Sequence, residues 1–204
     1  SFFRLNRRMH NKSLTADGAA SIVGGRNIGD IYFAFGSGVQ FIDTDVLVAG
    51  KAATDIGTDF DRYWQSKSSH PLSRIVGKPV AGALERLTAD ARQAALSKDG
   101  ELYFERLRRS QLVGDLVARR LPLEWTGVTL VSDDPAKGLG QAAVNDLLFP
   151  QLMALLSRPK RSVDLVSAYF IPGQHFLQVL EGLAGSGVRV RILTNSLAAT
   201  DVVI

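Results

Sequence analysis

The chain has 204 residues, 46% of them hydrophobic and 22% charged, which is an ordinary globular composition. It contains no cysteine, so disulfides and thiolate metal sites are excluded. Lys and Arg total 24 against 20 Asp and Glu. The resulting net charge of +4 suits phosphate-bearing partners, either nucleic acid or an anionic membrane, without choosing between them. No apolar run approaches the ~20 residues that a membrane-spanning helix needs.

The pattern of apolar residues and turn formers divides the chain into three regions. Residues 1–66 are predicted to hold short strands and one helix, residues 67–140 a helical connection, and residues 141–204 a return to alternating strand and helix. In the first region the predicted elements are a strand over 7–13, a hairpin turn at Asp17-Gly18, strands over 19–23 and 41–48, and a helix over 52–66.

The second and third regions follow with longer elements. Those predicted for the middle region are helices over 84–96 and 102–119 and a strand over 121–131, ended by Asp133-Asp134-Pro135. Those predicted for the last region are a helix over 142–157, a strand over 162–171, a crossover helix over 173–183 and a strand over 188–193. A strand–helix–strand order predicts a parallel sheet covered by helices, so the fold class is α/β with a mixed or parallel sheet.

The chemistry-bearing stretch of the sequence begins at His10. Lys12 and Asp17 follow, and then Gly24-Gly25-Arg26-Asn27. Alternate side chains of a strand share a face, so His10 and Lys12 are expected to project together. A lysine can hold a phosphate oxygen while an imidazole acts as nucleophile or general acid. The glycine pair lets backbone N–H groups approach an anion, and Asn27 adds an amide donor. These residue types predict phosphoryl chemistry.

This arrangement resembles the phospholipase D superfamily, whose pattern is H-x-K-x4-D-x6-G-[GS]-x-N. The sequence matches it throughout, with Gly25 in a slot where some members have Ser. The wider context looks like the bacterial cardiolipin synthases and related membrane phospholipases. The stretches that carry this second resemblance are 8–12, 24–30, 41–46, 167–173 and 188–201.

The resemblance implies a mechanism without metal or other cofactor. One histidine attacks the phosphodiester and forms a phosphohistidine, while a histidine from a second motif protonates the leaving alcohol and activates the acceptor. His10 corresponds to the motif histidine, Lys12, Gly25 and Asn27 to the phosphate-binding residues, and Asp17 to a structural carboxylate. Family members also orient the histidine with a carboxylate of a nearby strand. Asp45 is our choice for that role, with Asp43 as the alternative and solvated strand-end acids as the competing interpretation.

A second motif is not found in the sequence. The other histidines are His70 and His175, and positions 72 and 177 are both leucine, so neither histidine opens another His-x-Lys. We therefore expect an internal fragment of a two-motif enzyme, with two related but incomplete halves. Its single half-site would be completed by the missing second half or by a second chain.

Three functions stay open at this point. The resemblance favours a phosphatidyltransferase of cardiolipin-synthase type, bacterial and membrane-associated either peripherally or through a missing N-terminal anchor, acting on phosphatidylglycerol or a similar phospholipid. A hydrolytic phospholipase D or a nuclease of the same superfamily is the second possibility. Nucleic acid is the less expected substrate, because no strip of interleaved aromatic residues is present to stack bases. The third possibility is a catalytically inactive fragment.

Overall fold

The computed structural model describes residues 9–38 and 40–196, which form a mixed α/β architecture of six helices and two small sheets. The chain divides into two compact units, Ser1–Leu130 and Val131–Ile204, and each unit has its own sheet. The boundary falls inside the connecting region predicted at 67–140. The division of the chain into three regions stays a prediction.

The sheet of the first unit is antiparallel, in the order β1 (Ser13–Ala16), β2 (Ala20–Gly24) and β3 (Asp45–Ala49). The turn between β1 and β2 lies at Asp17-Gly18, as predicted. Both residues have positive φ, 52° and 64°, and the Ala19 N–H donates to the Ala16 carbonyl at 2.9 Å. Positive φ at both central residues is the type I′ geometry, whose twist matches that of the flanking strands.

Helix α1 (Lys51–Trp64) covers one face of this sheet and confirms the helix predicted at 52–66. Ser21 on β2 lies beneath it and is only 1% exposed. Its hydroxyl shares a 2.8 Å hydrogen bond with the Thr15 hydroxyl and donates to the Ala53 carbonyl at 3.4 Å. A buried hydroxyl is tolerated because it is hydrogen-bonded. Ser21 therefore fixes which strand face points toward α1.

Two strand predictions in this unit are wrong at their edges. The residues of the predicted strand 7–13 that are described, 9–12, precede β1 without strand pairing, while residues 7 and 8 lie outside the described part. Similarly, 41–44 is irregular and β3 begins at Asp45. The reason is that β2 ends at Gly24, whose partner is Asp45, so neighbouring residues on either side find no strand there to bond.

Three helices fill the rest of the first unit: α2 (Ala83–Ala95), α3 (Lys98–Arg109) and α4 (Gln111–Val117). The helix predicted at 84–96 is confirmed. The one predicted at 102–119 is two helices, because Ser110 adopts an extended conformation with ψ 122°. It also begins earlier than predicted, at Lys98, since the Ser97 hydroxyl caps it by accepting from the Gly100 N–H at 3.1 Å.

The strand predicted at 121–131 is also wrong. These residues are described, and they form no regular element. Neither sheet of the described chain contains a strand from this segment. An alternation of apolar and polar residues becomes a strand only when another strand satisfies its backbone groups.

The second unit places a parallel strand pair against two helices. Its elements are α5 (Leu148–Leu156), β4 (Ser162–Val166), α6 (Gln174–Gly185) and β5 (Arg189–Leu193). The predicted strand–helix–strand crossover is confirmed, although β4 ends before the predicted residue 171. The core of the unit is formed by Leu156, Val163, Phe176, Leu180 and Val188. Residues 197–201 of the resemblance stretch lie outside the described part.

The helix predicted at 142–157 is shorter than expected. It begins at Leu148, and two short 3-10 turns, Pro135–Leu139 and Val144–Asp146, precede it. Pro150 accounts for the difference, because proline is tolerated in the first turn of a helix but not in its interior. No helix in the described ranges is long and apolar enough to cross a membrane.

Candidate functional site

His10 and Lys12 are brought together just before β1. The Lys12 Nζ donates to the His10 carbonyl at 2.9 Å and lies 3.3 Å from the imidazole Nδ1. His10 is exposed and Lys12 is half-buried. An ammonium has three N–H donors, so these two contacts leave one for an anion. The two side chains lie together, although they do so from irregular chain and not from a strand, and their catalytic role stays a prediction.

The Gly24-Gly25 pair lies directly under two carboxylates. A Cβ on Gly24 would overlap the Asp45 Oδ1 and come within 2.9 Å of the Thr44 carbonyl, and one on Gly25 would meet both Asp43 carboxylate oxygens at 2.6 and 2.7 Å. Only glycine leaves that space. The sequence predicted that a phosphate approaches these glycines closely. In this structure, the carboxylates of Asp43 and Asp45 make that close approach. Binding of phosphate by Gly25 stays a prediction.

Arg26 links the start of β3 to the loop that follows the glycines. Its Nε donates to Asp45 Oδ2 at 2.7 Å, and its terminal nitrogens donate to the Tyr32 carbonyl and, at 3.3 Å, to the Asp43 carbonyl. The guanidinium lies 5.6 Å from the centre of the Phe33 ring. With side chains only 26% and 28% exposed, Arg26 and Asp45 form a partly desolvated pair. The rigid planar fork of arginine suits such a set of partners.

Asn27 is held by a tyrosine. Its Nδ2 donates to the Tyr32 hydroxyl at 2.8 Å, and the Tyr32 ring packs against Phe41 with centroids 5.2 Å apart. One of the two amide N–H groups of Asn27 is therefore engaged. Tyr32 therefore holds the side chain of Asn27, the predicted phosphate donor. Arg26 holds the backbone of the same loop at the Tyr32 carbonyl.

The two predicted acids lie in different places. Asp17 lies at the tip of the hairpin, at the opposite end of β1 from Lys12. Each residue of a strand adds ~3.3 Å, so the two side chains are far apart. Its position agrees with a structural role in the turn. Asp45 stands beside Gly24, but the contact that the structure gives its carboxylate is Arg26. Orientation of His10 by Asp45, or by Asp43, stays a prediction.

Two residues of this site were given no role by sequence reasoning. Arg26 sits inside the Gly-Gly-x-Asn stretch, but no sequence spacing links it to Asp43 and Asp45, which follow 17 and 19 residues later. Tyr32 carried no signal in the sequence either. Its partnership with Asn27 depends on the path of the chain through the 3-10 turn Asp30–Tyr32.

Comparison with known proteins gives the site its context. The chain is 42% identical over 205 residues to cardiolipin synthase C of Escherichia coli, and the match covers 100% of this chain. It is 26% identical over 191 residues to cardiolipin synthase 1 of Staphylococcus epidermidis and 27% identical over 192 residues to a cardiolipin synthase of Halalkalibacterium halodurans. The chain is thus similar over its whole length to bacterial cardiolipin synthases, and this likeness is consistent with the phospholipase D pattern of its motif.

The matches also show how much of the family's length is represented. The chain spans 43% of the Escherichia coli protein, 30% of the Staphylococcus epidermidis protein and 29% of the Halalkalibacterium halodurans protein. No protein-family model and no solved structure matches it. The likeness to the cardiolipin synthases therefore rests on the curated relatives and on the motif.

Proposed function

We propose that the protein carrying this chain is a phosphatidyltransferase of cardiolipin-synthase type. It moves a phosphatidyl group from one phospholipid to the headgroup hydroxyl of phosphatidylglycerol and releases a small alcohol. The observation that carries the proposal is the contact of Lys12 with His10, directly before the strand that pairs with β2, which ends at Gly24. The match to cardiolipin synthase C extends over the whole of this chain, and it supports the choice of substrate.

The chemistry proceeds through a covalent intermediate on His10. A ring nitrogen of His10 forms the bond to phosphorus, the bond from phosphorus to the leaving oxygen breaks, and a second histidine gives that oxygen its proton. The acceptor hydroxyl then attacks phosphorus, returns its proton to the second histidine and breaks the P–N bond. Lys12 and Asn27 hold the non-bridging oxygens, where negative charge is carried through both steps.

The second histidine of this scheme comes from outside the chain. His70 is exposed and precedes Pro71, and His175 lies on α6 with its ring 6.3 Å from that of Phe149. A lysine follows neither of them at the second position. The site described is therefore half of the complete one, and the remainder of the full-length protein or another chain supplies the other half.

An assay with the full-length protein and labelled phosphatidylglycerol tests the proposal. Cardiolipin and glycerol are the expected products, and His10→Ala is expected to abolish both. His175→Ala removes an exposed imidazole of α6 that no lysine follows at the second position, and it should leave turnover unchanged. Phosphatidic acid as sole product would reject transfer in favour of hydrolysis. DNA cleavage that is sensitive to salt and lost in His10→Ala would favour the nuclease alternative.

A further inference from the structure

The segment from Trp64 to Leu84 has an unusual charge pattern. It contains no Asp or Glu, whereas Lys67, Arg74 and Lys78 are spaced along it. The whole chain has 20 acidic residues against 24 basic ones, so a stretch of this length free of acids departs from the average. Residues 67–82 are all exposed, and the cations are therefore available to an external anion. We call residues 64–84 the basic segment.

The basic segment also exposes large apolar side chains. Trp64 is 68% exposed at the end of α1, and its ring stacks on Phe60, which is 52% exposed, with centroids 5.8 Å apart. The exposed aliphatic residues that follow are Leu72 (69%), Ile75 (68%), Val76 (51%), Val80 (71%) and Leu84 (71%). Single exposed apolar residues are normal on a protein surface, but these five follow one another along one short exposed segment that also carries the cations.

We propose that the basic segment is the surface through which the protein contacts an anionic phospholipid bilayer. This inference rests on the proposed function, because it names where an enzyme of phospholipids meets its substrate. Lys67, Arg74 and Lys78 pair with phosphate headgroups, while the aliphatic side chains and Trp64 enter the boundary between headgroups and acyl chains. Tryptophan prefers that boundary because its ring is apolar and its N–H is polar.

A bilayer explains both the cations and the exposed apolar side chains of the segment, whereas nucleic acid explains only the cations. Nucleic acid would satisfy the three cations but offers no apolar region to Leu72, Ile75 and Val80. An acidic protein surface would satisfy the cations and some apolar residues, and so it is an outcome that the experiments must distinguish. Interleaved cations and apolar side chains match the layered chemistry of a lipid surface.

The two tryptophans of the chain provide an internal control. Trp64 lies in the basic segment, while Trp125 is 91% exposed in the irregular stretch after α4, next to Glu124. In the full-length protein, the emission component that is lost in Trp64→Phe should shift to shorter wavelength when vesicles of phosphatidylglycerol and phosphatidylcholine are added. The component that is lost in Trp125→Phe should not move. An equal shift of both residues, or a shift with pure phosphatidylcholine vesicles, would overturn the proposal.

Charge reversal tests the cations in the full-length protein. Each basic side chain near an anionic membrane contributes about a fivefold gain in binding, so Lys67→Glu with Lys78→Glu should weaken vesicle binding by at least about 25-fold. Lys98→Glu with Lys160→Glu makes the same change of net charge at two exposed residues elsewhere. That variant should bind nearly as well as the parent. Equal binding by both double variants would show that the segment is covered by protein and would overturn the proposal.

Vesicle binding is measured without turnover, which separates this inference from the proposed function. His10→Ala should bind phosphatidylglycerol vesicles as the parent does. If the basic segment binds vesicles and no cardiolipin forms, the proposed function fails and the surface stands. If cardiolipin forms and the charge-reversed protein binds vesicles normally, the surface fails and the function stands. Circular dichroism of each variant controls for folding.

Discussion

Arg26 has more partners than any other side chain of the candidate site. It reaches the Asp45 carboxylate and the carbonyls of Tyr32 and Asp43, and so it joins the loop carrying Asn27 to the start of β3. A side chain with this many partners restricts the backbone on both sides of it. Catalysis by phosphoryl transfer depends on such restriction, because misplacement of a binding group by about 1 Å costs roughly a hundredfold in rate.

Arg26→Lys should therefore lower the activity of the full-length protein. Lysine keeps the charge but cannot bind three acceptors in one plane. We expect kcat/KM to fall roughly tenfold to a hundredfold, through loss of position at Asn27. Arg109→Lys is the matched control, since Arg109 pairs with Glu105 on the exposed surface of α3. Equal activity of the two variants in the transfer assay would contradict this role for Arg26.

The residues of the motif could be predicted from the sequence, and their supporting contacts could not. His10, Lys12 and Gly24-Gly25 are recognisable because residue type and spacing together define their chemistry. The contacts of Arg26 and Tyr32 arise from the fold of residues 26–45, which no spacing rule describes. The same limit applies to Asp45. The sequence suggested it as the carboxylate that orients His10, but neither its position beside Gly24 nor its pairing with Arg26 could be predicted.

At the scale of elements, the close contact of β2 with β3 at Gly24 has a measurable cost. Gly24→Ala would place a methyl group against the Asp45 carboxylate and the Thr44 backbone. We expect a loss of about 1–3 kcal/mol in the free energy of unfolding. Gly57→Ala is the control, because Gly57 lies within α1 and a methyl group there meets only the Thr15 Cγ2 at 3.8 Å.

The two alanine variants should therefore differ in sign. Alanine in a helix interior is favoured over glycine by about 0.5–1 kcal/mol, so Gly57→Ala should be stabilising. Urea unfolding of both proteins measures the difference. Loss of stability by the same amount in both would show that the first unit tolerates no added methyl group, and that the space above Gly24 has no special role.

The second unit should lose stability in acid through Asp133. Its carboxylate accepts from the Leu148 N–H at the start of α5 at 2.8 Å and from Lys137. Burial raises the pKa of Asp133, but the hydrogen bond from Leu148 and the hydrogen bond and charge of Lys137 together hold that pKa below its ordinary value. A carboxyl with a lowered pKa stabilises the fold above its unfolded pKa, and this contribution disappears as pH falls through the folded pKa.

Asp133→Asn should therefore destabilise the protein at pH 7 and have little effect near pH 2. The loss expected at pH 7 is about 1 kcal/mol, the size of one hydrogen bond. Asp90→Asn changes an exposed acid on α2 and should have no comparable effect. Thermal unfolding at the two pH values measures both variants. A constant difference for Asp133→Asn across this range would contradict the role of its charge.

Helices were predicted more accurately than strands for a physical reason. The helices at 51–64, 83–95 and 174–185 contain most of their hydrogen-bond partners within themselves, so local pattern and caps suffice to predict them. A strand depends on a partner elsewhere in the chain. The segment 121–131 has strand-like alternation and no partner, and 41–44 lies beyond the point where its partner β2 ends.

At the scale of the whole molecule, the single His-x-Lys has a kinetic consequence. On the proposed mechanism, a monomer of this chain offers His10 but no histidine of a second His-x-Lys motif to protonate the leaving alcohol, so we expect no phosphatidyl transfer from it. Sedimentation combined with the transfer assay measures both properties on one sample. Turnover by a monomer would contradict the half-site account. Turnover by a dimer would indicate that two copies of His10 complete the site.

The mixed α/β class and the crossover in the second unit could be predicted from the sequence, since alternation of strand and helix limits the possible topologies. The boundary between the two units could not. It falls at Leu130–Val131, within a stretch without regular structure, and nothing in the local composition separates that position from its neighbours.

The β1–β2 hairpin explains why the residues of the motif are separated by a fixed number of positions. Lys12 directly precedes the pair Ser13–Val23, so the number of residues from Lys12 around the Asp17-Gly18 turn to Gly24 is the perimeter of the hairpin. An inserted residue in either strand would shift the pairing of Ser13 with Val23 and so move Lys12 out of register with Gly24. The fixed spacing between Lys12 and Gly24 in the motif is thus set by the number of residues in the hairpin that connects them. Paired insertions, one in each strand, are the changes in length that would keep the two ends of the hairpin level with each other.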